Sequence, residues 1–185
     1  YTFATGAYYD GEWKNDMKNG YGKYYWGDGS YYEGQWLQNQ RSGKGTYRYA
    51  DGDVYTGQWT EDIQNGKGTY RYANKDVYEG TYLQGERHGM GVFRYANGDV
   101  YNGHFVNGEK DGQGTLTWRN GDSYTGQWKN DKYNGNGVLR KKDGSTFSGS
   151  FKNGKMDGQM IIHFSNGTKF KGMYKNGRAN GKAIE

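Results

Sequence analysis

The sequence predicts an all-β chain, an elongated single-layer antiparallel β-meander of tandem 23-residue hairpins. Three observations carry this. An aromatic-x-Gly segment returns at a fixed interval, the flanking segments alternate with period two, and the apolar content lies in rings more than in aliphatic side chains.

The interval comes first, because a missed repeat misassigns the whole fold. YDGEW, YEGQW, YTGQW, YEGTY, YNGHF, YTGQW, FSGSF and FKGMY begin at Tyr9, Tyr32, Tyr55, Tyr78, Tyr101, Tyr124, Phe147 and Phe170, each 23 residues after the last. With the starting ring as position 1, Gly stands at position 3 (Gly11 to Gly172) and position 12 (Gly20 to Gly181) of every repeat. Only Gly27 falls outside positions 3, 8, 12, 14 and 21, so each glycine site requires positive φ or a close approach. The organisation expected is the end of a preceding repeat at 1–8, repeats at 9–31, 32–54, 55–77, 78–100, 101–123, 124–146 and 147–169, and a partial repeat at 170–185. The missing initiator Met and the mid-repeat start give the expectation of a fragment continued on its N-terminal side.

Each repeat reads as two strands. In DVYTGQW, Tyr55, Gly57 and Trp59 alternate with Val54, Thr56 and Gln58, and in GKGTYRY, Gly68, Tyr70 and Tyr72 alternate with Lys67, Thr69 and Arg71. Asp51-Gly52, Asn97-Gly98, Asn120-Gly121, Asp143-Gly144 and Asn166-Gly167 are expected to make the tight hairpin turns, and the polar stretch at positions 6 to 12 to form a longer link. Two strands per repeat at roughly 4.8 Å each give about 10 Å per repeat.

Composition agrees. Of the 32% apolar residues most are the 20 Tyr, 7 Phe and 6 Trp, which cannot fill a thick aliphatic core but exceed what a disordered chain carries. Rings laid over the glycines of neighbouring strands are expected to replace that core. With 0 Cys there is no disulfide or thiolate metal site, and the lack of a long apolar run or signal-type N-terminus gives the expectation of a soluble, cytoplasmic protein.

These motifs resemble the MORN family, whose repeat reads Y-x-G-x-W, a turn, then G-x-G-x-hydrophobic-x-aromatic, and the resemblance covers essentially the whole chain. It extends to the cytoskeletal all-MORN scaffold proteins of protists. It implies an array of β-hairpins, roles in membrane-skeleton scaffolding and junction formation, cytoskeletal partners and phospholipid contact. The function expected is a non-enzymatic scaffold that self-associates and organises membrane-apposed cytoskeletal structure. The alternatives are a phosphoinositide- or anionic-lipid-binding module and, in another class, a choline- or carbohydrate-binding aromatic array.

Two sets of cations are candidates for anionic lipid. Arg48, Arg71 and Arg94, with Arg140, recur one repeat apart on second strands, where pairing with nearby Glu is the plain alternative. Arg140, Lys141, Lys142, Lys152, Lys155, Lys169, Lys171, Lys175 and Arg178 form a C-terminal cluster: residues 140–185 are net +7, whereas 1–139 are net −2. Apolar residues also gather at that end. Met156, Met160, Ile161, Ile162, Phe164, Phe170, Met173 and Ile184 are the candidates for a homodimer interface, with a monomeric cap as the alternative.

No catalytic residues, cofactor or metal are expected. His88, His104 and His163 fall at positions 11, 4 and 17 with no metal-ligand spacing, and the glycines sit at hairpin positions instead of opening a phosphate-cradling helix. Nucleic acid is not an expected partner, because the basic residues read onto the face opposite the rings and stacking would not cooperate with phosphate contact.

Overall fold

The computed structural model describes residues 1–181, which places Ile184 outside the described residues. They form sixteen antiparallel strands in one open sheet whose order follows the chain. The chain divides into two compact units, Tyr1–His88 and Gly89–Glu185. The first holds β1 (Tyr8–Lys14), β2 (Met17–Tyr25), β3 (Tyr31–Leu37), β4 (Gln40–Arg48), β5 (Val54–Thr60), β6 (Ile63–Arg71), β7 (Val77–Leu83) and the start of β8 (Glu86–Arg94). The second continues β8 and adds β9 (Val100–Val106), β10 (Glu109–Thr117), β11 (Ser123–Lys129), β12 (Lys132–Arg140), β13 (Thr146–Lys152), β14 (Lys155–His163), β15 (Lys169–Lys175) and β16 (Arg178–Ala179).

The two connections of each repeat are the reverse of the expectation. The tight turn lies at positions 7 and 8, where Gln38-Asn39, Glu61-Asp62 and Asn130-Asp131 all have positive φ, as a two-residue primed turn requires at both centres. The Asp-Gly and Asn-Gly dipeptides instead sit in five-residue links such as Tyr49–Asp53. There Tyr49 N donates to Asp53 O (2.9 Å) and Gly52 N to Tyr49 O (3.1 Å). The physical reason is that only the glycine is left-handed in these links, Gly52 at φ 99°, while Asp51 spends its carboxylate on the amide of Asp53 (3.0 Å). Phe3 to Ala7 repeat this pattern, with Phe3 N donating to Ala7 O and Gly6 N to Phe3 O.

Inside each hairpin the ladder carries a bulge. In β5–β6 Gly57 pairs with Gly68 and Trp59 with Gln64, so Gln58 faces three residues, with Gly66 at φ 100°. The Gln58 side chain mends the gap by accepting the Lys67 amide (2.7 Å), as Gln35 does for Lys44 (3.0 Å) and Gln127 for Asn136 (2.8 Å).

The core is a row of tyrosines lying on glycine. Tyr32, Tyr55 and Tyr78 in the first unit and Tyr101 and Tyr124 in the second are fully buried, and Tyr32, Tyr55, Tyr101 and Tyr124 each lie over the position-3 and position-14 glycines of their own hairpin. An added Cβ at Gly57 or at Gly68 would lie 2.5 Å from the Tyr55 hydroxyl oxygen. That hydroxyl donates to the carbonyl of Gln58 (3.0 Å), satisfying an acceptor that the bulge removes from the ladder. The position-5 Trp then stands edge-on between successive tyrosines. Trp59 is 5.1 Å from Tyr55 and 5.5 Å from Tyr32, and its indole N–H donates to Gly45 O (3.3 Å). Burial pushes the hydroxyls of Tyr78 and Tyr124 up to about 12, so they stay protonated donors. Tyr82, standing where four other repeats have Trp, keeps a buried hydroxyl with no hydrogen-bond partner among the described residues.

The last complete repeat solves the same packing problem differently. Phe147 lacks the hydroxyl, and Met160 replaces the position-14 glycine, its sulfur 2.6 Å from where a Cβ on Gly149 would lie. Met160 and Ile162 are 0% and 1% exposed. These two candidates for an intermolecular interface are therefore core residues of their own hairpins.

Candidate functional site

The ring face is largely consumed by the chain itself. At position 10 of several repeats a cation, missed in the sequence, lies across from the position-5 ring. Lys18 pairs with Trp13, Arg41 with Trp36 and Lys110 with Phe105. Arg41 sits 4.4 Å from the centroid of the Trp59 ring and 5.3 Å from that of Tyr47. Lys18 lies 4.5 Å from the Tyr24 centroid and 4.4 Å from that of Trp36, and burial pushes its ammonium below the ordinary lysine value. The expectation that all basic residues lie opposite the rings is thus corrected. The rings do form cages, but side chains of the same chain fill them.

The other face of the first unit carries an open cleft of about 590 Å³. Its floor is the main chain of Gly34, Gly45 and Gly57, and its walls are Tyr21, Glu33, Lys44, Thr46, Thr56, Gln58 and Lys67. Tyr21, 55% exposed, donates its hydroxyl to Glu33 (3.0 Å), and Lys23 bridges the same carboxylate (3.4 Å). Lys44 and Lys67 have no ion pair among the described residues. The sequence held the signal for this site, since Tyr21 is the one aromatic at position 13, where the other repeats carry Lys, Met, Gln or Asn.

On the same face Arg48 pairs with Tyr31 and Val54, and Arg71 with Val54 and Val77. In the second unit Arg94 pairs with Val100, and Arg140 with Ser123 and Thr146. All four are exposed, and their cross-strand neighbours are apolar or neutral, so the expected Glu partners are not beside them.

The C-terminal cluster resolves into two edges of the second unit. Arg140, Lys141, Lys142 and Lys169 lie at the five-residue-link edge, where Lys141 pairs with Asp122, whose carboxyl is held below the usual range by that ammonium and by the Lys142 amide. Lys152, Lys155, Lys175 and Arg178 lie at the tight-turn edge, and Lys171 lies mid-strand. There the ladder sets cations directly opposite one another in three successive hairpins: Lys129 with Lys132, Lys152 with Lys155, and Lys175 with Arg178. Like charges so placed destabilise a sheet. Two carboxylates offset them, Asp111 on Lys129 (3.7 Å) and Asp157 on Lys175 (3.5 Å). The same sites are Lys14/Met17, Leu37/Gln40 and Thr60/Ile63 in the first unit. Lys129 and Lys132 escaped the sequence reading, although KNDK, KNGK and KNGR recur one repeat apart.

The remaining apolar candidates do not share a surface. Met156 lies on the ring face opposite Phe151, at the position-10 site, and Phe170 covers Gly172 on that face. Ile161 and Met173, 45% and 49% exposed, stand across from Lys171 and Gln159 on the opposite face. Phe164, 40% exposed, is in a link. A single contiguous patch of the seven described candidates is therefore excluded, because strand alternation sends neighbouring residues to opposite faces. Among the described residues no cluster of His, Asp and Glu could hold a metal ion.

The family description "MORN repeat" matches residues 9–31, 32–54, 55–77, 78–100, 101–123, 124–146, 147–169 and 170–185. No curated protein sequence matches the chain. Among solved structures, the chain is similar to the TCP domain of SAS-4 (dCPAP) from Drosophila melanogaster, solved in complex with a proline-rich motif of Ana2 (dSTIL). The identity is 14% and the TM-score 0.52, over 94% of this chain and 88% of that one. The TCP10 domain of Danio rerio CPAP with a peptide of STIL matches at 15% identity and TM-score 0.38, over 90% and 83% of the two chains.

Proposed function

Because this chain belongs to the MORN-repeat family along its length, we propose that it is a non-enzymatic scaffold that docks partner polypeptides and organises membrane-apposed cytoskeletal structure. The supporting observation is the cleft of the first unit, with the exposed Tyr21 ring at one wall and Lys44 and Lys67 left without acids. A proline-rich segment suits it: such a chain is extended before binding, needs no internal hydrogen bonds and docks against aromatic rings. The Drosophila TCP domain, similar to this chain at a TM-score of 0.52, is complexed with a motif of that kind. Self-association belongs to the same scaffold role and is drawn to the exposed Ile161 and Met173 of the second unit.

Proline-rich decamers selected by display against the whole chain test the docking. Tyr21→Ser combined with Lys44→Ser and Lys67→Ser is expected to weaken the selected peptides by about tenfold or more, as loss of an aromatic anchor does. Peptides that bind this variant as they bind the unaltered chain overturn the cleft.

A second reading, attachment to an anionic membrane surface, is supported by the facing cations of the tight-turn edge. At about 1 kcal/mol per cation near such a surface, changing Lys129, Lys132, Lys152 and Lys155 to Gln should reduce binding to phosphatidylserine vesicles about a hundredfold or more. Changing Arg48, Arg71 and Arg94 should do far less, and binding should weaken with salt. Equal losses in the two variants, measured by co-sedimentation, contradict this reading.

A further inference from the structure

Three repeat-equivalent sites on the ring face differ in whether a carboxylate or an amide stands beside the cation. In each, the side chain at position 8 of one repeat receives the backbone N–H at position 10 of the repeat before it. Asp62 accepts the Arg41 amide (2.8 Å), Asp131 the Lys110 amide (2.9 Å) and Asn39 the Lys18 amide (2.8 Å). The two aspartates also take the cation of the side chain whose amide they hold, Asp62 at 3.0 Å from Arg41 Nε and Asp131 at 3.3 Å from Lys110 Nζ. Asn39 has the same shape and no charge. The Lys18 ammonium therefore makes no ion pair and no hydrogen bond among the described residues, although it is half-buried between the Tyr24 and Trp36 rings. Arg87, the other cation in this register, stands over the Tyr78 ring.

Asn39 also borders open space. Lys18, Tyr24, Trp26, Trp36 and Asn39 line a cleft of about 310 Å³, whose far wall is the Arg41–Asp62 pair. Within it two cations face one carboxylate, and that carboxylate already accepts from Arg41 Nε, while Arg41 Nη2 donates to the main-chain oxygen of Asp62 (2.8 Å). A half-buried ammonium has three donors to satisfy, and ring faces supply none of the acceptors.

We propose that this cleft is a binding site for a glutamate side chain of a partner polypeptide, the incoming carboxylate taking the place on Lys18 that Asp62 and Asp131 hold at the equivalent sites. The methylenes of the glutamate would lie against Trp26 and Trp36, and the carboxylate would accept from Lys18 Nζ in a charge-assisted bond. This rests on the reading of the chain as a docking module, but the site is on the face opposite the Tyr21 cleft.

The test uses the whole chain and two capped pentapeptides, Ala-Ala-Glu-Ala-Ala and its Gln counterpart, followed by the assigned indole N–H resonances of Trp26 and Trp36. The Glu peptide is expected to give a saturable shift and the Gln peptide none. Asn39→Asp supplies an internal carboxylate without changing side-chain shape, so it should remain folded and lose the Glu peptide about tenfold or more. Lys18→Met should lose it as well. Equal binding by the Asn39→Asp variant, equal shifts with the two peptides, or shifts produced only by phosphatidylserine vesicles overturn the site. Absence of any proline-rich peptide at the Tyr21 cleft is a separate result and overturns the docking reading on which the site rests.

Discussion

Replacing Gly45 by Ala is expected to cost about 3 kcal/mol or more, at the top of the range for overpacking a tight core. The added Cβ would lie 2.1 Å from the Tyr32 hydroxyl oxygen and 2.3 Å from the ring carbon that bears it. The ring cannot retreat. Its hydroxyl is fixed on Gln35 O (2.9 Å), and Trp36 and Trp59 stand edge-on against it at 5.1 and 5.5 Å. Displacing it also orphans the Gln35 carbonyl. Gly29→Ala is the control, with nothing within 4 Å of its Cβ and only a left-handed backbone (φ 96°) to object, at about 1–2 kcal/mol. The chain contains the remedy: Phe147 with Met160 replaces tyrosine and glycine in the repeat that starts at Phe147. Tyr32→Phe with Gly45→Met should thus recover stability that either change alone loses. Urea titration of the variants by circular dichroism measures all three.

Trp59→Ala is expected to cost about 3–5 kcal/mol, the range for deleting a buried large ring. Trp59 is 4% exposed, and its removal ends two edge-on ring contacts, the indole bond to Gly45 O and the platform under the Arg41 guanidinium. Arg41 would keep Asp62 but lose its principal ring, so part of the cost is an ion pair left in a widened cavity. Trp13→Ala provides the comparison. At 45% exposure in the first strand, that ring should cost only about 1 kcal/mol. Equal losses for Trp13 and Trp59 would show that the interlocked row does not act as a core.

The strands and their faces were legible because Tyr55, Gly57 and Trp59 recur with an unbroken period, and the pairing of Gly57 with Gly68 follows from it. The turn at Glu61-Asp62 was not legible, since Asp51-Gly52 carries the stronger hairpin signature and nothing local shows that only Gly52 turns left-handed. That reversal had a consequence. Taking positions 6 to 12 for a link removed Lys18, Arg41 and Lys110 from the strands, although their spacing of four from the position-14 glycine puts them on the ring face. Met160 was misplaced for a related reason: an apolar residue where six other repeats keep Gly looks like added surface, and only the loss of the hydroxyl at Phe147 shows that it fills a space inside. Ile162 was legible as core, since position 16 carries Tyr, Phe or Leu in the other complete repeats. The turn-edge lysines needed the register, because Lys129 and Lys132 become like-charged neighbours only once Asn130-Asp131 is the turn.

The most direct measurement of the docking role is the acetylation rate of each lysine, read by mass spectrometry with and without a saturating selected proline-rich peptide. Lys44 and Lys67 line the proposed cleft, whereas Lys129, Lys132, Lys152 and Lys155 lie at the tight-turn edge of the other unit. Slowed acetylation of Lys44 and Lys67 with unchanged rates at the turn edge is the expected result. A bound peptide that leaves Lys44 and Lys67 reacting at their free rates would contradict it.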